Sequence, residues 1–141
     1  MLVDVNLLLY ASDRRSPHHA KASNWMAGVL DGSRQVGIPW SSLSAFLRIS
    51  TNGRASPTPL NAEAAWRFVD ALLAHAVVWV PAPTSRHAEV FRGFMERHHA
   101  TGNLVPDVEL AALAYEHGLT LYSTDHDFAR FTEIRWVDPL A

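Results

Sequence analysis

The sequence predicts an α/β fold, an αβα sandwich around a central, mostly parallel sheet of about five strands. Two observations carry this reading. Short apolar runs recur along the chain, nearly continuous rather than alternating, as expected of strands buried on both faces. Between them lie helix-length segments with apolar residues at helical spacing, so successive strands are joined by right-handed crossovers and lie parallel.

In order, "LVDVNLLLY" (2 to 10) reads as the first strand, because its apolar run is almost unbroken. Ser16 and Pro17 supply an N-cap and a first-turn proline for a helix running to about Leu30. "VGIP" (36 to 39) is the second strand and "SSLSAFLRIST" (41 to 51) a short helix after it. "NGRASPTP" (52 to 59) has the composition of a loop. Asn61 caps a helix whose Ala65, Trp66, Val69, Leu72 and Leu73 share one face. "VVWV" (77 to 80) is the third strand. Thr84 opens a helix with Val90, Phe91, Phe94 and Met95 as its apolar stripe, ended by "TGN" (101 to 103). Pro106 and Gly118 bracket the helix "DVELAALAYEH". "LTLYS" (119 to 123) and "IRWV" (134 to 137) complete the sheet. No repeat or linker interrupts the pattern, so residues 1–141 are expected to form a single domain.

Composition limits the chemistry. With no cysteine there is no disulfide scaffold and no thiolate, so any metal must be held by oxygen or imidazole. A formal net charge of -2 argues against holding nucleic acid by bulk electrostatics, although all cationic residues but Lys21 are arginine, the side chain suited to bidentate phosphate contacts. The apolar N-terminus carries Asp4, lacks a basic leader and is too short to span a bilayer. A cytoplasmic protein with no membrane association is expected.

In a parallel sheet the ligand site lies at the carboxyl ends of the strands and the helix starts beside them. That rule selects four acids. Asp107 falls in a first helical turn, Asp125 and Asp127 follow the fourth strand in "YSTDHDF", and Asp4 lies within the first apolar run. Alone, Asp107 would satisfy a helix start, and Asp125 or Asp127 would cap a turn. Asp4 is harder to explain, because an ionised carboxylate in a buried strand needs a partner or a cation. Asn6, two residues on, would point to the same face. Two carboxylates about 5 Å apart repel by roughly 3 kcal/mol at an effective dielectric near 20, so converging acids call for a hard divalent cation. The histidines do not form a competing site: His18-His19 and His98-His99 diverge, no HExxH pattern occurs, and only His126 lies between acids.

"DVNLLLY", "NLVPDVELAALAYEHG" and "LYSTDHDFARFTEIRWVDPL" resemble the PIN-domain ribonucleases, specifically the VapC toxins of type II toxin-antitoxin modules. "FLRISTNGRASPTPL" resembles the signature of one subgroup, with Thr51-Asn52-Gly53-Arg54 where that subgroup has Thr-Asn-Pro-Arg. The resemblance implies a PIN-like fold and a Mg²⁺-dependent endoribonuclease, with Mn²⁺ as a substitute. It also implies a VapB-type antitoxin as partner, a homodimer, and tRNA or rRNA as substrate. The implied metal ligands are Asp4, Asp107 and Asp125, with Asp127 as an additional catalytic acid. Asn6 and Ser44 would support them from behind. Arg14, Arg15, Arg48, Arg54 and Arg130, near strand ends or loops, are candidate RNA contacts.

One departure stands out: from Pro39 through Ser56 there is no carboxylate, where most PIN domains place a second acid. One metal site is therefore expected, and a catalytically impaired PIN-like domain that binds only RNA or antitoxin is an alternative. A phosphotransfer domain with Asp125 as nucleophile is a further alternative, but no lysine follows Asp125 to complete that pattern.

Overall fold

Five strands, β1 (Leu2–Val3), β2 (Val36–Gly37), β3 (Val78–Trp79), β4 (Leu121–Tyr122) and β5 (Trp136–Val137), form one sheet in the order β3-β2-β1-β4-β5, every pairing parallel. The structure, a computed structural model, describes all residues from Met1 to Ala141. The chain crosses from β1 outward to β2 and β3, then returns to the other side of β1 for β4 and β5. A crevice therefore opens at the carboxyl ends of β1 and β4, where the direction of winding reverses.

Six helices cover the sheet: α1 (Val5–Ser12), α2 (His19–Leu30), α3 (Trp40–Ser50), α4 (Ala62–Leu73), α5 (His87–Arg97) and α6 (Val105–His117), with 3₁₀ turns at Gly102–Leu104 and His126–Arg130. The two residues of β1 point to opposite faces, as strand geometry requires. Leu2 enters a core built by α5, α6 and the last turn, including Phe94, Val108 and Phe131. Val3 enters the other core, with Leu7, Leu8, Ile38, Phe46 and Val69. Both residues are wholly buried, so β1 is the shared floor of two apolar layers.

The first strand is much shorter than its apolar run predicts. Residues 5–12 are helical, and Leu7 and Leu8 bury against the sheet as part of α1. A short apolar run looks the same in a buried helix as in a buried strand, and here the deciding residue is Asp4. Its backbone is extended (ψ 157°) and its Oδ1 accepts the Val5 N–H at 2.7 Å, which caps α1. Two helix starts also fall later than predicted. Ser16 and Thr84 each accept backbone N–H bonds in a preceding turn, from His18 and Arg86, and the helices begin at His19 and His87.

Other signals hold. Asn61 Oδ1 accepts the Ala64 N–H at 2.8 Å, Pro106 lies in the first turn of α6, and Gly118 ends α6 at φ 63° in the left-handed region. Gly37 is required for a different reason: a Cβ there would lie 2.8 Å from Pro81 Cγ and 2.9 Å from the Met1 carbonyl. The buried carboxylate of Glu116, at the end of α6, accepts the Thr84 N–H and hydroxyl and pairs with His87, fixing α5 alongside α6. No helix is long and apolar enough to cross a membrane.

Candidate active site

Four acids surround the crevice. Asp4 is the last residue before α1, at the carboxyl end of β1, and its N–H continues the ladder to the Tyr122 carbonyl at 3.0 Å. Asp125 and Asp127 follow β4, and Asp107 lies in the first turn of α6, which runs back against the strands and so begins at the same edge. The burial problem that singles out Asp4 in the sequence is thus solved by a cap as well as by a site.

The centre of the arrangement is Ser123, a residue that sequence reading passed over. It is wholly buried. Its hydroxyl donates to Asp4 Oδ2 at 2.7 Å and accepts from Asn6 Nδ2 and from the Asp125 N–H, both at 3.0 Å. One donor and two lone pairs are thereby all used. Asn6 reaches this network from the first turn of α1 rather than from a strand face, and its Oδ1 lies 3.5 Å from the Thr124 N–H. Trp136 Nε1 donates to the Ser123 carbonyl at 3.0 Å, closing the network from β5. The only sequence signal was a polar residue ending an apolar strand two positions before an acid.

Asp125 Oδ1 accepts the Asp127 N–H at 2.9 Å and caps the 3₁₀ turn, so its structural role and its place in the acid group coexist. Asp127 is exposed at the rim. His126 turns away, toward Asp138 at 3.4 Å and the Trp136 ring.

Electrostatics shows that the acids share one field. Burial pushes the Asp107 carboxyl up to about 6, helped by the negative charges of Asp125, Asp4 and Asp127 and opposed by Arg130. A helix N-terminus favours ionisation, so the upward direction means that burial and like charge together win. Burial also raises Asp4, against the hydrogen bonds from Ser123 and Val5, with Asp125 adding to the rise.

No three of the His, Asp and Glu side chains stand close enough to enclose an ion by themselves. The group is an open, all-oxygen donor set with a surplus of negative charge. Such a set fits Mg²⁺, which keeps several waters and takes one or two carboxylates plus substrate phosphate, better than it fits an ion needing a complete protein cage.

The residues standing where a second acid was sought contribute differently. Ser42 is buried and donates to the Val3 carbonyl at 2.9 Å, tying the start of α3 to the end of β1 just before Asp4. Ser44 is exposed on α3. Of the candidate arginines, Arg130 lies where its charge acts on Asp107. Arg14 and Arg15 line a separate cleft beyond the end of α1, Arg48 is exposed in the last turn of α3, and Arg54 is exposed in the following loop.

Residues 1–134 match the PIN domain family. The chain is 41% identical over 140 residues to ribonuclease VapC37 of Mycobacterium tuberculosis, covering 99% of this chain and 97% of that protein. The chain belongs to the PIN-domain VapC ribonucleases. Ribonuclease VapC43 of the same species is 37% identical, covering 99% of this chain and 95% of its own. Among solved VapC structures, VapC20 of M. tuberculosis, a sarcin-ricin loop cleaving toxin, superposes with a TM-score of 0.70 at 20% identity, covering 95% of this chain and 98% of that one. VapBC2 from Rickettsia felis, bound to a DNA fragment from its promoter, gives a TM-score of 0.71 at 14% identity and 96% coverage of both chains. These distant structures share the fold of this chain across large sequence divergence.

Proposed function

We propose that the chain is a Mg²⁺-dependent endoribonuclease toxin that cuts a structured RNA, a tRNA or rRNA loop, and is restrained by a VapB-type antitoxin. The observation that carries the proposal is the meeting of Asp4, Asp107, Asp125 and Asp127 at the switch point of a parallel sheet, each raising or sharing the field that an oxygen-seeking cation would relieve. Two relatives support the remainder. VapC20 is named for sarcin-ricin loop cleavage, and a structure from Klebsiella pneumoniae, 18% identical with a TM-score of 0.64, is named as a toxin-antitoxin complex.

Asp4, Asp107 and Asp125 would hold the ion, directly or through water. When bound, Mg²⁺ supplies charge neutralisation at the phosphate and an acidified water for in-line displacement, leaving a 5′-phosphate and a 3′-hydroxyl. Ser123 keeps one oxygen of Asp4 fixed while each carboxylate oxygen retains a lone pair for ligation. Asp107, free of such a clamp, adjusts to the ion. Asp127 orients water at the rim, and Arg130 offsets part of the negative field that would repel an incoming phosphate.

The absence of a carboxylate between Pro39 and Ser56 favours one bound ion, and it also keeps a second reading in view, a domain that binds RNA or antitoxin without cutting. Mapping new RNA ends across a cellular RNA pool separates the two. Wild-type protein with Mg²⁺ is expected to cut at few sites and Asp4→Asn at none. Binding without cutting by the wild type, across several divalent ions, supports the second reading.

A further inference from the structure

Helices α1 and α3 both begin at the carboxyl edge of the sheet, and both end at one cleft. Its volume is about 420 Å³, and it lies between the end of α1, the end of α3 and the loop that carries Thr51-Asn52-Gly53-Arg54. That size falls within the range of small-ligand pockets. Its apolar floor is formed by Leu9, Ile49, Pro57 and Leu60. The lining also carries Arg14, Arg15, Ser56 and Thr58.

Three features make this a formed site rather than a surface dip. Arg15 is held across the mouth, donating from Nη1 to Thr58 Oγ1 at 2.9 Å, which fixes a guanidinium whose other donors remain available. The Ser50 hydroxyl, on a residue lining the cleft, is buried and has no hydrogen-bond partner in the protein. An unpaired buried hydroxyl is uncommon and invites a ligand or an ordered water. Finally, two guanidiniums in the lining, Arg14 and Arg15, face a single carboxylate, so the cationic charge is in excess. Asp13, the one acid in the lining, accepts the Arg15 N–H at 3.0 Å. Of the last four carbonyls of α1, Leu9 accepts from the Asp13 N–H and the Ser12 hydroxyl, and Tyr10 lies 3.0 Å from His19 Nδ1.

We propose that this cleft is a nucleotide subsite, in which one unstacked base of the substrate RNA lies on the apolar floor while its phosphate is held by Arg14 and Arg15. The inference rests on the ribonuclease reading above and extends it from the point of cleavage to substrate selection. α1 spans about 12 Å, so the subsite sits a few nucleotides from the acids. This placement answers a difficulty of the fold. A chain of net charge -2 with an acidic centre cannot grip RNA by general attraction, and needs a specific contact away from that centre. Flipped-out bases of loops are what such pockets read, so the subsite favours looped over duplex RNA.

The test uses the intact chain and the four nucleoside 5′-monophosphates as probes, followed by amide chemical-shift mapping in EDTA. Shifts are expected to saturate at residues 9–16 and 49–60, with one base preferred. Arg15→Ala should weaken binding about tenfold or more, the loss expected of a charge-assisted hydrogen bond. Asp4→Asn should leave nucleotide binding unchanged. In cleavage assays Arg15→Ala should raise KM for a loop RNA with little change in kcat. Shifts confined to the acid crevice, affinity unaltered by Arg15→Ala, or saturation by an acidic peptide but by no nucleotide would each overturn the proposal. The binding arm needs no catalysis. Nucleotide binding in a chain that cuts no RNA would refute the ribonuclease reading and leave the subsite standing, whereas cutting without nucleotide binding at the cleft refutes the subsite alone.

Discussion

Replacing Asp107 by Asn should stabilise the metal-free protein while removing its response to Mg²⁺. Asp107 is raised from 3.8 to about 6, by burial first and then by Asp125, Asp4 and Asp127. At 1.36 kcal/mol per pH unit the gap corresponds to about 3 kcal/mol against the ionised form. Asp107 is only partly buried, and solvent screening reduces this to about 1 kcal/mol. The sign follows from the raised folded-state value. The stability of the wild type is fully retained below 3.8, where Asp107 is protonated in both states, and is lost progressively as pH rises through about 6. Asp107→Asn abolishes that loss, so its advantage should be near zero at pH 4 and complete above pH 6. Thermal melting in EDTA should show a gain of about 4 °C at pH 7.5. With Mg²⁺ at a hundred times its Kd the wild type should recover about 2.7 kcal/mol, and the variant little or none. A variant that melts lower than wild type at pH 7.5 in EDTA, or a difference independent of pH, would refute the reasoning that the acids are mutually strained.

Two further substitutions probe the frame around the acids. Ser123→Ala removes the hydroxyl shared by Asp4, Asn6 and Asp125, and should destabilise by about 3 kcal/mol in urea unfolding. It should also lower cleavage more than it lowers RNA binding, and equal losses in both would argue against a positioning role. Gly37→Ala sets a methyl against Pro81 and the Met1 carbonyl, which must displace β2 from its neighbours. A loss of about 1 to 3 kcal/mol is expected, and an unchanged melting curve would show that the sheet yields there without strain.

The α/β class, the parallel sheet and the four acids were legible because each leaves a local mark: apolar runs, helix brackets, and acids at strand ends. The first strand was misread because "VNLLLYAS" is mostly apolar, and its polar Asn6 and Ser12 are too few to separate a helical period from a strand period. Only the cap made by Asp4 decides between them. Ser123 was missed for a different reason. A serine after a strand is usual, and its importance depends on three partners up to 119 positions away in sequence. Asn6 was expected beside Asp4 on a strand face, whereas the structure brings it to the Ser123 hydroxyl from the first turn of a helix. Ser44, expected to support the metal ligands from behind, is exposed, whereas Ser42 on the same helix turns inward and donates to a carbonyl of β1. Helix phase, which differs by about 200°, more than half a turn, between residues two apart, is poorly fixed by sequence at a helix start.

The most direct measurement of the central claim is the chemistry of the cut ends produced by purified protein, with Mg²⁺ or EDTA, for wild type and Asp4→Asn of matched melting temperature. The expected ends are 5′-phosphate and 3′-hydroxyl, requiring Mg²⁺ and vanishing in Asp4→Asn. Cyclic phosphate ends, cutting that persists in EDTA, or undiminished cutting by Asp4→Asn would contradict the claim.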